Sequence, residues 1–335
     1  MRHILGDVTA ELAAGRPVVL ATILSSEGSA PRGIGAGMAV LADGSQRGTI
    51  GGGSVEYEAA RRARTLFEAR GSCAETYLLH PNEVADLGRI CGGRVHVLFE
   101  HLAPDAPTRE LFSALLERAK RGQPAFLVRA IENDAVTDMS MFDGESLLFA
   151  KRIAREEIGE LTASRAVLTE GATQLLIEPV GATSRVYLFG GGHVSQKLVP
   201  VLAYVDFRVV VLEDRPEFAE AALLPSAEDV RLCAFDNIAP AAPVSKDDYI
   251  VIMTRGHMAD YEILRQALRT DATYIGCIGS RHKIALTKQR LVADGFSETD
   301  FARVHTPIGL PILAETPEEI AISVCAEMIA HRARH

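Results

Sequence analysis

From about residue 184 onward, short apolar runs alternate with longer stretches of helical spacing, and this alternation most narrows what the chain can become. "RVYLFG" (185–190), "FRVVVLE" (207–213), "DVRLCAF" (229–235), "DYIVIM" (248–253) and "TYIGCIG" (273–279) read as strands. "HVSQKLVPVLAYV", "MADYEILRQALRT" (258–270) and "SRHKIALTKQRLVADG" (280–295) read as helices. A last helix, "TPEEIAISVCAEMIAHRA" (316–333), has Thr316 as its cap, Pro317 in its first turn and Glu319 three residues after the cap. Short apolar strands separated by helices imply a parallel sheet covered on both faces. The expected class is α/β: a C-terminal Rossmann-like, doubly wound parallel sheet plus an N-terminal α/β domain with a mixed sheet.

The N-terminal half is less regular. A helix over 3–15 leads into the strand "PVVLATIL" (17–24) and a loop of small residues, "SSEGSAPRGIGAG" (25–37). The hairpin "MAVLADGSQRGTI" (38–50) turns at Asp43-Gly44 and precedes a helix over 54–71. "GRVHVLFEHL" (93–102) alternates Val95, Val97 and Phe99 on one face. The Pro-rich "APDAPT" (103–108) reads as a joint. Beyond it, 109–180 reads as a helix and several strands without an interpretable motif. The expected division is 1–105 as the N-terminal domain, 106–183 as a middle segment completing it, and 184–335 as the Rossmann-like domain.

A length of 335 residues leaves room for two domains. Against 35 Lys and Arg stand 44 Asp and Glu, a net charge of −9, so nucleic acid and anionic membrane are poor partners. No apolar run is long enough to span a bilayer, and acidic residues interrupt the opening where a signal peptide would be apolar. Cys73, Cys91, Cys233, Cys277 and Cys325 lie far apart without a C-x-x-C pair, which argues against a zinc knuckle or disulfide framework. The expected location is the cytoplasm.

Two glycine triplets carry the functional signal. In "VYLFGGGHVSQKL", Gly190, Gly192 and Ser195 occupy the three positions of a G-x-G-x-x-G fingerprint, with Ser in the third. Such a turn brings bare backbone and a helix N-terminus to a pyrophosphate, while an acid about 20 residues on takes a ribose diol. Glu213, with Asp214 beside it, is that acid. The plain alternative is a tight strand-to-helix turn with nothing bound. Further strand ends carry Thr254, Arg255, Gly256, His257 and Asp260, then Ser280, Arg281 and Lys283. Singly these read as surface ion pairs and caps; together with His193 they suit a phosphorylated ligand. The other triplet, Gly51, Gly52 and Gly53, follows a loop containing Arg32, and both loops can expose N–H groups to an anion. Glu56 reads either as an acid complementing its helix dipole or as a ligand contact. Cys91, in "ICGG", reads as either a reactive thiolate in a small-residue loop or a buried thiol.

Together, "ATILSSEGSAPRGIGAGMAVLADGSQRGTIGGGSVE", "CGG", "LFGGGHV", "TRGHMAD", "YIGCIGSRHK" and "PIGLPILAETPEEIA" resemble the XdhC/CoxI family of xanthine dehydrogenase accessory factors. The resemblance covers about 20–100 and 185–330. It implies a chaperone that binds the molybdenum cofactor, protects its sulfurated form and hands it to a xanthine dehydrogenase-type molybdenum hydroxylase. It also implies a cysteine desulfurase as sulfur source and a homodimer. The positions matching the family motifs are Pro31, Arg32, Gly51, Gly52, Gly53, Glu56, Cys91, Gly190, Gly191, Gly192, His193, Arg255, Gly256, His257, Gly279, Ser280, Arg281 and Lys283. Cys91 is the expected contact to molybdenum or its sulfur. The cofactor is a pterin bearing a phosphate, in some forms extended by a nucleotide, which suits a Rossmann turn. The rival reading is an NAD(P)-dependent oxidoreductase using the same turn, with His193 or His257 as its acid–base group; no catalytic pair with evident spacing supports it. A scaffold that contacts no cofactor leaves both glycine loops unexplained.

Overall fold

The computed structural model describes residues 1–28, 30, 32–79, 93–159, 165–181 and 185–334. Pro31 and Cys91 therefore lie outside the described residues. The chain forms two compact units, Met1–Ala182 and Thr183–His335.

The first unit is built from two five-stranded antiparallel sheets and the helices on them. Helix α1 (Leu5–Ala13) precedes β1 (Val18–Glu27), β2 (Gly37–Leu41) and β3 (Gln46–Gly48), and α2 (Gly53–Ala69) precedes β4 (Ser72–Leu79) and β5 (Gly93–Leu102). These strands lie in the order β3-β2-β1-β5-β4. Alternation along β1 decides what covers each face. Val19, Ala21 and Ile23 pack with Val55, Ala59, Ala63 and Leu66 of α2. Val18 and Leu20 pack instead with Val8 and Leu12 of α1.

Helix α3 (Ala106–Arg121) opens at Asp105, whose carboxylate accepts a hydrogen bond from the Thr108 amide at 2.9 Å, and it closes at Gly122 with φ 61°. The second sheet comprises β6 (Phe126–Glu132), β7 (Ala135–Phe142), β8 (Leu147–Leu148), then, after the short α4 (Arg155–Ile158), β9 (Val167–Leu168) and β10 (Gln174–Pro179). Its order is β8-β7-β6-β10-β9. Leu127 and Met141 of this sheet share one core with α1, α3 and β1, so 106–181 is packed into the first unit. A buried ion cluster joins the two sheets: Arg129 of β6, fully buried, reaches Glu100 of β5 at 3.2 Å and also pairs with Glu178 of β10.

The second unit is a six-stranded parallel sheet: β11 (Arg185–Phe189), β12 (Arg208–Glu213), β13 (Asp229–Leu232), β14 (Tyr249–Ile252), β15 (Tyr274–Cys277) and β16 (Val304–His305). The order β13-β12-β11-β14-β15-β16 is the 3-2-1-4-5-6 arrangement of dinucleotide-binding folds. Helix α5 (His193–Tyr204) follows β11, α6 (His257–Ala267) follows β14, and α7 (Arg281–Ala293) with α8 (Glu298–Phe301) follows β15; α9 (Pro317–Arg332) ends the unit. Val186, Leu188, Val209 and Val211 face α5 and α9, while Tyr187, Phe189, Val210 and Leu212 face α6. Both sides of the sheet are thus buried, as the near-continuous apolar strands demand. No α-helix lies between β12 and β13; two short 3₁₀ turns, Pro216–Phe218 and Ala221–Leu223, carry that crossover.

Candidate functional site

In a parallel sheet wound from both sides, neighbouring crossovers leave in opposite directions where the strand order reverses, and a crevice opens there at the carboxyl edge. Here that point lies between β11 and β14. The triplet at the end of β11 turns the chain into α5, and its three glycines answer three different demands. Gly190 has φ 104°, and a side chain there would bring its Cβ to 2.5 Å from the Met253 carbonyl oxygen. At Gly191 a Cβ would come to 2.5 Å from the Phe218 carbonyl oxygen. Neither position tolerates a side chain, because in both the obstacle is backbone. Gly192 differs: its φ is an ordinary −70°, and a Cβ there would meet nothing within 4 Å. Among the described residues nothing requires glycine at 192. The bare position keeps open space in front of the α5 N-terminus, whose first N–H groups favour an anion.

Gly192 is the N-cap of α5, and no side chain caps the helix. His193, the first helical residue, is exposed. Ser195, in the third fingerprint position, is 1 % exposed, and its hydroxyl has no hydrogen-bond partner among the described residues. A buried hydroxyl without a partner is costly and calls for an explanation.

Glu213 occupies the expected end of β12, but its carboxylate is turned into the fold and is 1 % exposed. Oε2 accepts from the Gly191 amide at 2.7 Å and from Arg215 Nη2 at 3.1 Å. Oε1 accepts from Arg215 Nε at 2.9 Å and from the amides of Asp214 and Arg215, both at 3.2 Å. Burial pushes this carboxyl up, but Arg215 and the Gly191 amide outweigh it and bring its pKa to about 2. The guanidinium of Arg215 lies 4.0 Å from the centre of the Phe218 ring. Sequence reasoning missed Arg215 as the partner of Glu213. The signal was there, since residues two apart at an extended strand end project to the same side.

The remaining expected residues follow the neighbouring strands. Arg255 is exposed just after β14, and Gly256 caps α6 with φ 108°. Asp260 is a structural tie as well as a rim residue: its Oδ1 accepts from the Thr254 amide at 3.1 Å and from the Thr254 hydroxyl at 2.6 Å. His257 and Arg281 are the first residues of α6 and α7. Ser280 caps α7 by accepting from the Lys283 amide at 3.4 Å; Gly279 precedes it, and the Lys283 side chain is exposed. A recess lined by Leu264, Cys277, Ile278, Ile284 and Phe301 opens beside Lys283. Burial pushes the Cys277 thiol far up, so it is a packing group rather than a thiolate. One sheet edge therefore carries Gly190, Gly191, Gly192, His193, Glu213, Arg255, Gly256, Gly279 and Ser280.

In the first unit, Gly51, Gly52 and Gly53 have φ of 131°, 76° and 68°, a path that excludes other residue types without strain. The turn wraps around Glu56. Its Oε2 accepts from the Gly52 amide at 3.0 Å, the Ile50 amide at 3.1 Å and the Thr49 hydroxyl. Burial pushes Glu56 up, but the Thr49 hydroxyl and these amides prevail and hold it below the usual glutamate range. Arg32 is exposed in its loop. Each triplet thus receives a carboxylate of its own chain; at Gly52 and Gly53 a positive φ calls for glycine, whereas at Gly192 neither φ nor a described neighbour does. Among the described residues no group of three His, Cys, Asp or Glu side chains is placed to hold a metal ion, and no helix is long and apolar enough to cross a membrane.

Residues 186–328 match the model of the XdhC Rossmann domain, and residues 11–78 match that of the XdhC and CoxI family. The chain belongs to the XdhC/CoxI family. Along 94 % of its length it is 28 % identical to 93 % of a probable xanthine dehydrogenase subunit from Bacillus subtilis. Along 99 % of its length it is 22 % identical to 88 % of the molybdenum cofactor insertion chaperone PaoD of Escherichia coli. A crystal structure described as a xanthine dehydrogenase from Bacillus halodurans superposes with a TM-score of 0.79 at 27 % identity, covering 100 % of this chain and 97 % of that one. The similarity to these relatives also spans the middle segment that the sequence motifs and the two family models leave uncovered.

Proposed function

We propose that this XdhC/CoxI protein binds the molybdenum cofactor in its sulfurated form and delivers it to a xanthine dehydrogenase-type molybdenum hydroxylase. The observation that carries the proposal is Gly192. Its bare position faces open space at an uncapped helix N-terminus, at the switch point of a nucleotide-binding sheet order. A phosphate-bearing ligand fits that place. The amides at the start of α5 would hold the phosphate, and a nucleotide extension would run toward the end of β12. When bound, the cofactor supplies molybdenum and its terminal sulfur; the protein supplies binding, orientation and shelter from water. Cys91 is proposed as the residue that meets the metal or its sulfur. In this reading a cysteine desulfurase provides the sulfur and the carrier acts as a homodimer. The relative named as a molybdenum cofactor insertion chaperone supports the assignment.

The test is molybdenum content and native mass of protein purified from a host that makes the cofactor. Wild type is expected to carry molybdenum and pterin. Gly192→Leu, whose Cβ would meet nothing within 4 Å, is expected to lose at least about tenfold in retained cofactor, since a side chain would stand where the phosphate goes. Retention equal to wild type in Gly192→Leu would overturn the placement at α5. Absence of cofactor from wild type itself would overturn the carrier function.

A further inference from the structure

We infer that the nucleotide position beside β12 is read by Asp214, not by the buried Glu213, and that it selects a ribose with a free 2′-hydroxyl and rejects a 2′-phosphate. The inference rests on the nucleotide part of the proposed function.

Glu213 has no capacity left for a ligand. A carboxylate offers about four acceptor positions. Five donors already converge on this one: the Gly191, Asp214 and Arg215 amides and two nitrogens of Arg215. At 1 % exposure it can receive a ribose hydroxyl only by giving up a bond to the glycine turn or to Arg215. Its role is structural: it ties β12 to Gly191 and fixes the guanidinium of Arg215.

Asp214 is the next carboxylate along the strand end, and 47 % of its side chain is exposed. Arg215 Nε lies 3.8 Å from Asp214 Oδ1 but is committed to Glu213 at 2.9 Å. The exposed acid at the strand end is therefore the one with acceptor capacity to spare. It stands where a dinucleotide-type ligand places its ribose.

The same three residues explain the selectivity. A site for a 2′-phosphate needs an uncommitted cation. Here the cation, Arg215, is paired bidentately with Glu213 and stacked on Phe218. Glu213, Asp214 and Glu217 all surround the one committed Arg215, so this corner offers no spare cation to a phosphate and presents acceptors to hydroxyl donors.

The test uses isothermal titration of the full chain with CDP and ADP, their 2′-deoxy forms, AMP and adenosine 2′,5′-bisphosphate. Wild type is expected to bind the ribonucleotides about tenfold or more tightly than the deoxy forms, the scale of a hydrogen bond to a charged group. AMP is expected to bind more tightly than its 2′-phosphorylated relative. Asp214→Asn is expected to pull the ribo-to-deoxy ratio toward one, with the deoxy affinities unchanged. Glu213→Gln, checked for folding by circular dichroism, is expected to preserve the ratio even where overall affinity falls. Nucleotide binding with a ratio unmoved by Asp214→Asn, or tighter binding of the bisphosphate, would overturn the inference and leave the nucleotide site standing. Failure of every probe to bind wild type would overturn both.

Discussion

The triplet at Gly190, Gly191 and Gly192 makes a prediction with a change of sign inside three consecutive residues. Gly190→Ala places a side chain on a residue with φ 104° and drives its Cβ to 2.5 Å from the Met253 carbonyl, where no flexible group can yield. Backbone strain of about 1–2 kcal/mol for a non-glycine residue adds to overpacking of about 1–3 kcal/mol, so a loss of roughly 2–5 kcal/mol is expected. Gly191→Ala meets the Phe218 carbonyl at the same distance without the φ penalty, so about 1–3 kcal/mol is expected. Gly192→Ser meets nothing, keeps φ at −70° and places a favoured capping side chain on an uncapped helix. It is expected to stabilise by about 0.5–1 kcal/mol, through the new cap and the reduced freedom of the unfolded chain. The assay is denaturation followed by far-ultraviolet circular dichroism, since the chain has no tryptophan to report by fluorescence. If Gly192→Ser loses as much stability as Gly190→Ala, position 192 is required by the fold. Its bareness would then say nothing about a ligand.

Two further predictions concern buried charge. Arg129→Ala removes the main cation between Glu100 and Glu178, which are 4 % and 2 % exposed, and is expected to cost about 3–5 kcal/mol of first-unit stability. The Met1 nitrogen, 3.8 Å from Glu178 Oε1, compensates in part. The triple variant Arg129→Met, Glu100→Gln, Glu178→Gln should recover most of that loss in a melting experiment; a melting temperature unchanged by Arg129→Ala would contradict the account. The second follows from Glu213, whose pKa falls from 4.5 to about 2 on folding. A lowered carboxyl pKa stabilises above the unfolded value, so Glu213 adds stability that is present above pH 4.5 and is lost as pH falls toward 2, offset in part by Asp214, whose pKa burial and the neighbouring Glu213 raise. Comparing acid unfolding of wild type and Glu213→Gln checks this: the variant should lack that part of the slope, and parallel curves would refute it.

Much of the second unit was legible in the sequence because its strands are buried on both faces and its helices on one. Hydrophobic periodicity alone then separates them, and the glycine turn and Thr316 cap mark where two helices begin. The order of β11, β12 and β14 follows from the rules of doubly wound sheets. In the first unit the hairpin at Asp43-Gly44 and the α2 helix were readable from turn chemistry and spacing. The strands β4 and β7 were not. "SCAETYLL" and "AVTDMSMF" carry polar residues within the strand, and Asp138 in the second is buried because its Oδ2 accepts from the amides of Lys151, Arg152 and Ile153. Those partners sit more than ten residues away, beyond the reach of a local pattern.

The site divides in the same way. Residue type and spacing by themselves determined that bare backbone meets a helix start at Gly190–Gly192 and that acids stand at the end of the next strand. Only the tertiary structure decided what each does. Gly190 and Gly191 are bare because Met253 and Phe218 press against them, whereas Gly192 is bare against open space. Glu213 and Glu56 belong to their own turns, and Arg129 is buried between two sheets. Composition and period are local properties of a chain. Whether a carboxylate or a missing side chain faces a neighbour or the outside depends on contacts between distant segments, and those exist only once the chain has folded.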